Sequence, residues 1–383
     1  MADTITLSDA MGASLPANIR FIFVLLLLLH QIHSLIVECF YIYAQPRPLF
    51  KPPADWDFGD PMLPPPTWTW TYRTRWIVLN ALAMFFVGII FSAFAFRNAA
   101  DFQRDLNSQC DAQADGDIAG VGVRVAFWIQ IGMLVFIVGI KSVAISPSNA
   151  AVKELAGGLV ITHLSLGISL LVLSHQGKLS GLNAALGAMV LDAQNVALSV
   201  SFSSREVLAA RSEVVTIAIT QFTGLVWIGV LMSGYTVGRY QTDDCPCFSF
   251  FWWSWHDTCL GVPMMETSIF WVYYDFRWLN SIHNWLFGLR YMWDFHLWEK
   301  YASDDLDVVE PFWTHVPEMV GFSLFRHAVF GLGSLAAAEL TLRAHNGGRG
   351  PEEFTVGQVT GIVVASLTFL RAAWLFLVTF SKD

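Results

Sequence analysis

The feature that most constrains this chain is a run of about twenty consecutive apolar residues, repeated along its length, enough to cross ~30 Å of hydrocarbon as an α-helix. Inside lipid the backbone has no water to bond, so only helices or closed barrels can span. The runs are continuous and lack the in-out alternation of a barrel strand. They therefore predict an all-α, polytopic transmembrane helix bundle. Composition agrees: of 383 residues, 55% are hydrophobic and 14% charged, against roughly 25% charged in soluble domains. The formal charge of −9 sits mostly in loops, and no basic tract points to nucleic acid.

Eight or nine spans can be drawn. They cover Arg20 to Ala44, Trp76 to Phe96, Val123 to Ile145, Leu155 to Leu173, Leu182 to Phe202, Val214 to Val237, Met319 to Leu342 and Val356 to Phe380, with an aromatic amphipathic stretch, Met264 to Leu289, that either crosses the bilayer or lies at its surface. The first run continues well past the short core of a cleaved leader and follows acids (Asp3, Asp9), so it reads as a retained helix. Pro64, Pro65 and Pro66, with Trp68 and Trp70, suggest an extended interfacial segment within Gln45 to Tyr72. No linker separates a soluble domain. The expected organisation is a tail at 1–19, one membrane domain at 20–380 and a tail at 381–383. That domain includes an outer Cys/Trp loop at 239–263 and the aromatic segment at 264–298.

Nine spans with a non-cytoplasmic N-terminus place ten Lys and Arg residues inside and seven outside, the sense of the positive-inside rule. The expected location is a plasma or secretory-pathway membrane. This topology also sets Cys110, Cys245, Cys247 and Cys259 on one oxidising face. Two disulfides then follow, and a Cys245–Cys247 bridge would strain its one-residue loop. Cys110 is expected to pair with one of these two and Cys259 with the other. The Phe and Trp side chains between them would press on the headgroups or cap the bundle. A zinc site from Cys245, Cys247, His256 and Cys259 is the rival reading, although Cys-x-Cys is tighter than usual zinc spacing.

Polar residues within the spans are functional candidates, because each is costly in hydrocarbon. His30 and His33 lie in the first span, His163 in the fourth, Asp192-Ala193-Gln194-Asn195 in the fifth, Arg326 and His327 in the eighth and Arg371 in the ninth. Asp192 stands out, since no base adjoins it in sequence. Glu318, Asp275 and Glu266 are further candidate acids. The plain alternative for any of them is a hydrogen-bonded core residue, a snorkelling side chain or a structural pair of Asp192 with Arg326 or Arg371. A metal or haem on His30, His33 and His163 lacks supporting spacing, and Lys141 lies too near a helix end for a retinal Schiff base. No cofactor is expected.

The run Cys245-Pro246-Cys247-Phe248-Ser249-Phe250-Phe251-Trp252-Trp253, followed by Ser268-Ile269-Phe270-Trp271-Val272-Tyr273-Tyr274, resembles multi-pass membrane proteins of filamentous fungi. The resemblance covers the C-terminal part of the chain and implies no activity. Membrane terpene cyclases, which protonate prenyl chains with buried acids, offer an analogy of class alone.

Three functions fit the sequence. The first is an enzyme on a lipid-soluble substrate such as an isoprenoid. Asp192, Glu318, Asp275 or Glu266 would act as general acid, with Trp271, Tyr273, Tyr274, Trp278 and Trp285 sheltering a cation. The second is an oligomeric channel or transporter with a stapled outer mouth, Asp192, Gln194 and Asn195 lining a polar path. The third is a receptor or scaffold. Membrane lipids and a lipid-soluble molecule or ion are the expected partners.

Overall fold

The computed structural model describes residues 17–44, 115–143, 150–202, 207, 210–240, 248–252, 254–257, 264–302, 327, 330–339, 341–342 and 356–380. Its helices are α1 (Ala17–Ala44), the single turn α2 (Gly116–Ala119), α3 (Val121–Val143), α4 (Ala150–His175), α5 (Gly181–Ser201), α6 (Arg211–Thr236), α7 (Met264–Ala302), α8 (330–339) and α9 (Val356–Phe380). One antiparallel hairpin, β1 (Phe248–Phe251) with β2 (Ser254–Asp257), interrupts the helices. Among the described residues five helices are long and apolar enough to cross a membrane, α1, α3, α4, α5 and α6. The expected span at Trp76 to Phe96 lies outside the described residues, as does the first part of Met319 to Leu342. α9 holds only a shorter apolar core, Gly361–Leu375. α7 is helical throughout but too polar to count by composition.

Side-chain contacts fix helix directions. Thr162 meets Gln194, and Gly187 packs on Leu170, so α4 and α5 run antiparallel. Gly224 faces His163 while Gly167 faces Trp227, which makes α4 and α6 parallel. α7 bonds to α5 at Arg277–Asp192 and Asn284–Ser199, seven residues on in both chains, so these two are parallel. α1 touches α7 at Arg20–Glu266 and again at Gln31–His283, also parallel. α8 opposes α5, and α9 opposes α4 through Arg371–Glu154 and Thr368 against Gly158. One set, α1, α5, α7 and α9, thus points one way, and α4, α6 and α8 the other. α7 belongs to the bundle and does not lie across its end.

The bundle is apolar outside, and its largely apolar core encloses a set of buried polar side chains. Exposed Ile22, Leu26 and Leu29 on α1, Ile161 and Ile168 on α4, and Val363, Leu367 and Leu370 on α9 repeat at helical spacing, forming stripes that suit lipid. Every residue of α5 is buried, yet its mean hydropathy, 1.2, is the lowest of the five long apolar helices. Ala184, Ala185, Gly187, Ala188 and Ala197 are small enough for neighbouring backbones to close around it. Its polar groups then face protein, where they find partners, and not lipid. Ser180 caps its N-terminus by accepting a bond from the Asn183 amide.

Candidate functional site

Asp192, near the middle of α5, is the point where four elements meet. Its Oδ1 accepts bonds from Arg277 Nη2 at 2.6 Å and Nε at 3.1 Å. Oδ2 accepts from the Trp252 indole N–H at 2.9 Å and the Ser334 hydroxyl at 2.5 Å. Asp192, Arg277, Trp252 and Ser334 are all buried. Arg277 comes from α7, Trp252 from the hairpin turn and Ser334 from α8, so one carboxylate ties three elements to the central helix. Arg371 pairs with Glu154, and Arg326 lies outside the described residues.

Trp252 carries an additional sign of constraint. The turn between Phe251 and Ser254 has two residues, the loop that favours left-handed backbone and hence Gly or Asn. Trp252 adopts φ +47° there, a conformation costing of order 1–3 kcal/mol for a bulky residue. It is held by the bond to Asp192, by stacking on Phe270 with centroids 5.2 Å apart, and by tilted contacts with Tyr273 at 5.4 Å and Tyr274 at 5.9 Å. Of the two fates expected for the loop aromatics, Trp252 takes the second and caps the bundle from within. Trp278 and Trp285 meet each other edge to face, and Tyr273 and Phe276 pack on Phe330. These aromatics pack on one another, while Trp271 and Tyr274, also named from sequence, line a groove beside α6.

The other candidate acids separate. Glu266, buried at the start of α7, takes a two-pronged bond from Arg20, Nη1 to Oε2 at 2.8 Å and Nη2 to Oε1 at 2.5 Å. The adjacent Ser254 hydroxyl donates to its backbone carbonyl, so the hairpin is pinned here as well. Asp275 is exposed on α7. Glu318, Cys110, Cys245, Cys247 and Cys259 lie outside the described residues. Among the described residues no three His, Cys, Asp or Glu side chains gather as a metal site would require.

A second polar region, without acids or cationic Lys or Arg, runs beside Asp192 through α3, α4, α5 and α6. Gln194 Nε2 donates to Thr162 Oγ1 at 3.1 Å, and Thr162 donates to Gln130 Oε1 at 3.2 Å. Further along α5, Gln221 Nε2 reaches the Asn195 carbonyl at 2.8 Å and Ser199 Oγ at 2.7 Å, while Trp285 donates to Gln221 Oε1 at 2.8 Å. Gln130, His163, Gln194, Asn195 and Gln221 are each at most 2% exposed. Both ring nitrogens of His163, both polar atoms of the Asn195 amide, Gln194 Oε1 and Gln130 Nε2 have no partner among the described residues. The His163 ring lies over Gly224, where a Cβ would overlap it, and Asn195 Oδ1 lies 3.5 Å from that same Cβ position. Sequence reasoning named His163, Gln194 and Asn195 but passed over Gln130, Gln221 and Thr162. Uncharged polar residues within otherwise apolar runs were the available signal.

Comparison with protein family models, with curated proteins and with solved structures finds no match. Class therefore rests on the chain itself. Five long apolar helices, lipid-suited outer stripes and a polar, ion-paired interior are those of a multi-pass helical membrane protein.

Proposed function

We propose that the chain is a membrane transport protein for small, neutral, hydrogen-bonding solutes, with the region around His163 and Asn195 as its site. The observation that carries this is the set of buried donors and acceptors on His163, Asn195, Gln194 and Gln130 that make no hydrogen bond of good geometry among the described residues, with Gln194 beside the His163 ring. An unmet buried polar group costs about 1–3 kcal/mol, so a solute offering matching donors and acceptors binds by removing that penalty. Among the described residues this polar region holds no acidic, Lys or Arg side chain, which favours a neutral solute over an ion. Acid catalysis has less support, because both described buried carboxylates serve as acceptors in Arg pairs and a general acid needs a proton to donate.

The wider topology belongs to the same reading. Nine spans agree with α1, α5, α7 and α9 sharing one direction, and the excess of Lys and Arg on the opposite side sets the N-terminus on the non-cytoplasmic face. We assign Cys259 to a disulfide with Cys245 or Cys247, since β1 begins directly after Cys247 and β2 ends just before Cys259, and Cys110 to the remaining thiol.

The test is solute entry into proteoliposomes, followed by light scattering after challenge with urea, glycerol or sucrose. Urea or glycerol should enter faster than into empty vesicles, and sucrose should not. Asn195→Leu and His163→Phe should lower that rate several-fold while the protein still reconstitutes. Rates equal to those of empty vesicles for both small solutes would remove the proposal.

A further inference from the structure

An open groove of about 490 Å³ runs along the outside of the bundle between α6 and α7, within the ~300–1,000 Å³ of small-molecule sites. Its long wall is aliphatic, with Val226 and Val230 at exposed positions on α6. Two glycines let tyrosines approach its floor closely. Gly229 leaves room for the Tyr274 hydroxyl, which donates to the Leu225 carbonyl at 2.9 Å, and Gly234 leaves room for the Tyr240 hydroxyl. Trp271 forms the opposite rim. The groove closes at Arg239, just beyond the end of α6, where Gly238 at φ +65° turns the chain.

We infer that this groove binds a glycerophospholipid with an anionic headgroup, its phosphate on Arg239 and one acyl chain along Val226 and Val230. The occupant follows from charge and placement. Arg239 is exposed, and among the described residues it has no ion pair and no acid lines the groove. The carbonyls at the end of α6, which would repel an anion, are occupied: Ser233, Gly234 and Tyr235 accept from the amides of Val237, Arg239 and Gly238. A guanidinium engages phosphate through two parallel N–H bonds, and aromatic side chains such as Trp271 favour the headgroup level. The aliphatic wall continues directly from that cation, in the order in which a lipid presents phosphate and chain. This inference does not depend on the transport proposal, because the groove lies on the lipid-facing side of α6.

Native mass spectrometry of the delipidated full chain, titrated with dioleoyl phosphatidylglycerol or dioleoyl phosphatidylcholine, tests it. A single basic side chain near a membrane surface favours anionic lipid by about fivefold, and wild type should show a preference of that order for the first bound lipid. Arg239→Gln should reduce the preference to near parity without changing the amount of folded protein. Val230→Trp, which enters the groove from its lipid side, should weaken binding of both lipids while Arg239 is retained. Equal affinity of wild type for the two lipids, or a preference that survives Arg239→Gln, would overturn the inference.

Discussion

Replacing Arg277 by Met tests whether the Asp192 junction holds the bundle together. The substitution removes two of the four bonds to the carboxylate, those at 2.6 and 3.1 Å, and leaves Trp252 and Ser334 facing an unneutralised charge. Breaking a buried pair on one side costs about 3–5 kcal/mol, whereas replacing both partners by apolar residues is often close to neutral. At about 2 °C per kcal/mol for a large domain, Arg277→Met should unfold some 6–10 °C below wild type. Asp192→Leu with Arg277→Met should recover most of that loss, leaving a smaller deficit from the freed Trp252 and Ser334 donors. Thermal unfolding in detergent, followed by tryptophan fluorescence and repeated at several scan rates, compares wild type, Arg277→Met, Asp192→Leu and the double variant. If the double variant is as unstable as the two single losses added together, the pair is not an energetic unit. Asp192→Asn then acquires a specific meaning. It strands Arg277, so lost function accompanied by a lowered unfolding temperature reports a structural failure and not a missing catalyst.

The remaining expectations concern neighbouring residues. Trp252→Phe keeps an aromatic ring over Phe270 but withdraws the indole donor, and should lower stability by about 1–3 kcal/mol in the same assay; no change would mean that Asp192 does not need that bond. Gly224→Ala places a methyl against the His163 ring, so it should destabilise the protein and slow urea entry, whereas Gly132→Ala, at a position with open space, should do neither. Thiol alkylation with and without prior reduction should shift gel mobility if the outer cysteines are paired, and identical mobility would show that they are not.

The helical class was legible because hydrocarbon imposes it: a run such as Leu25 to Leu29 has no other stable way to cross lipid. Asp192 was legible for the same reason, since an acid within a span must face protein. Its partner was not. Arg277 is 85 positions away, and several bases in other spans were equally available until helix directions fixed which one sat opposite. The hairpin was hidden more deeply. The segment Phe248 to Asp257 reads as an interfacial aromatic loop by composition, and nothing local says that Trp252 turns inward in a conformation its bulk disfavours. That conformation is held by Phe270, Tyr273 and Asp192, contacts which exist only after α5 and α7 have packed.

The order of hydropathy among the long apolar helices links these observations. α5 is the least apolar of the five and the only one entirely buried, the reverse of the soluble rule but the expected outcome in lipid, where a polar side chain gains by turning toward protein. Once α5 is central, each of its polar residues needs a partner from a different neighbour. Asp192 takes Arg277 from α7, Gln194 takes Thr162 from α4, and the Asn195 carbonyl and Ser199 take Gln221 from α6. These bonds specify which helix sits on which side, a task that apolar packing between similar Leu and Val surfaces performs poorly. The unengaged groups of Asn195 on α5 and of His163 facing it from α4 are exceptions to this pairing. That contrast is the reason to look there for a solute, and to treat Asp192 as part of the frame that holds the site in place.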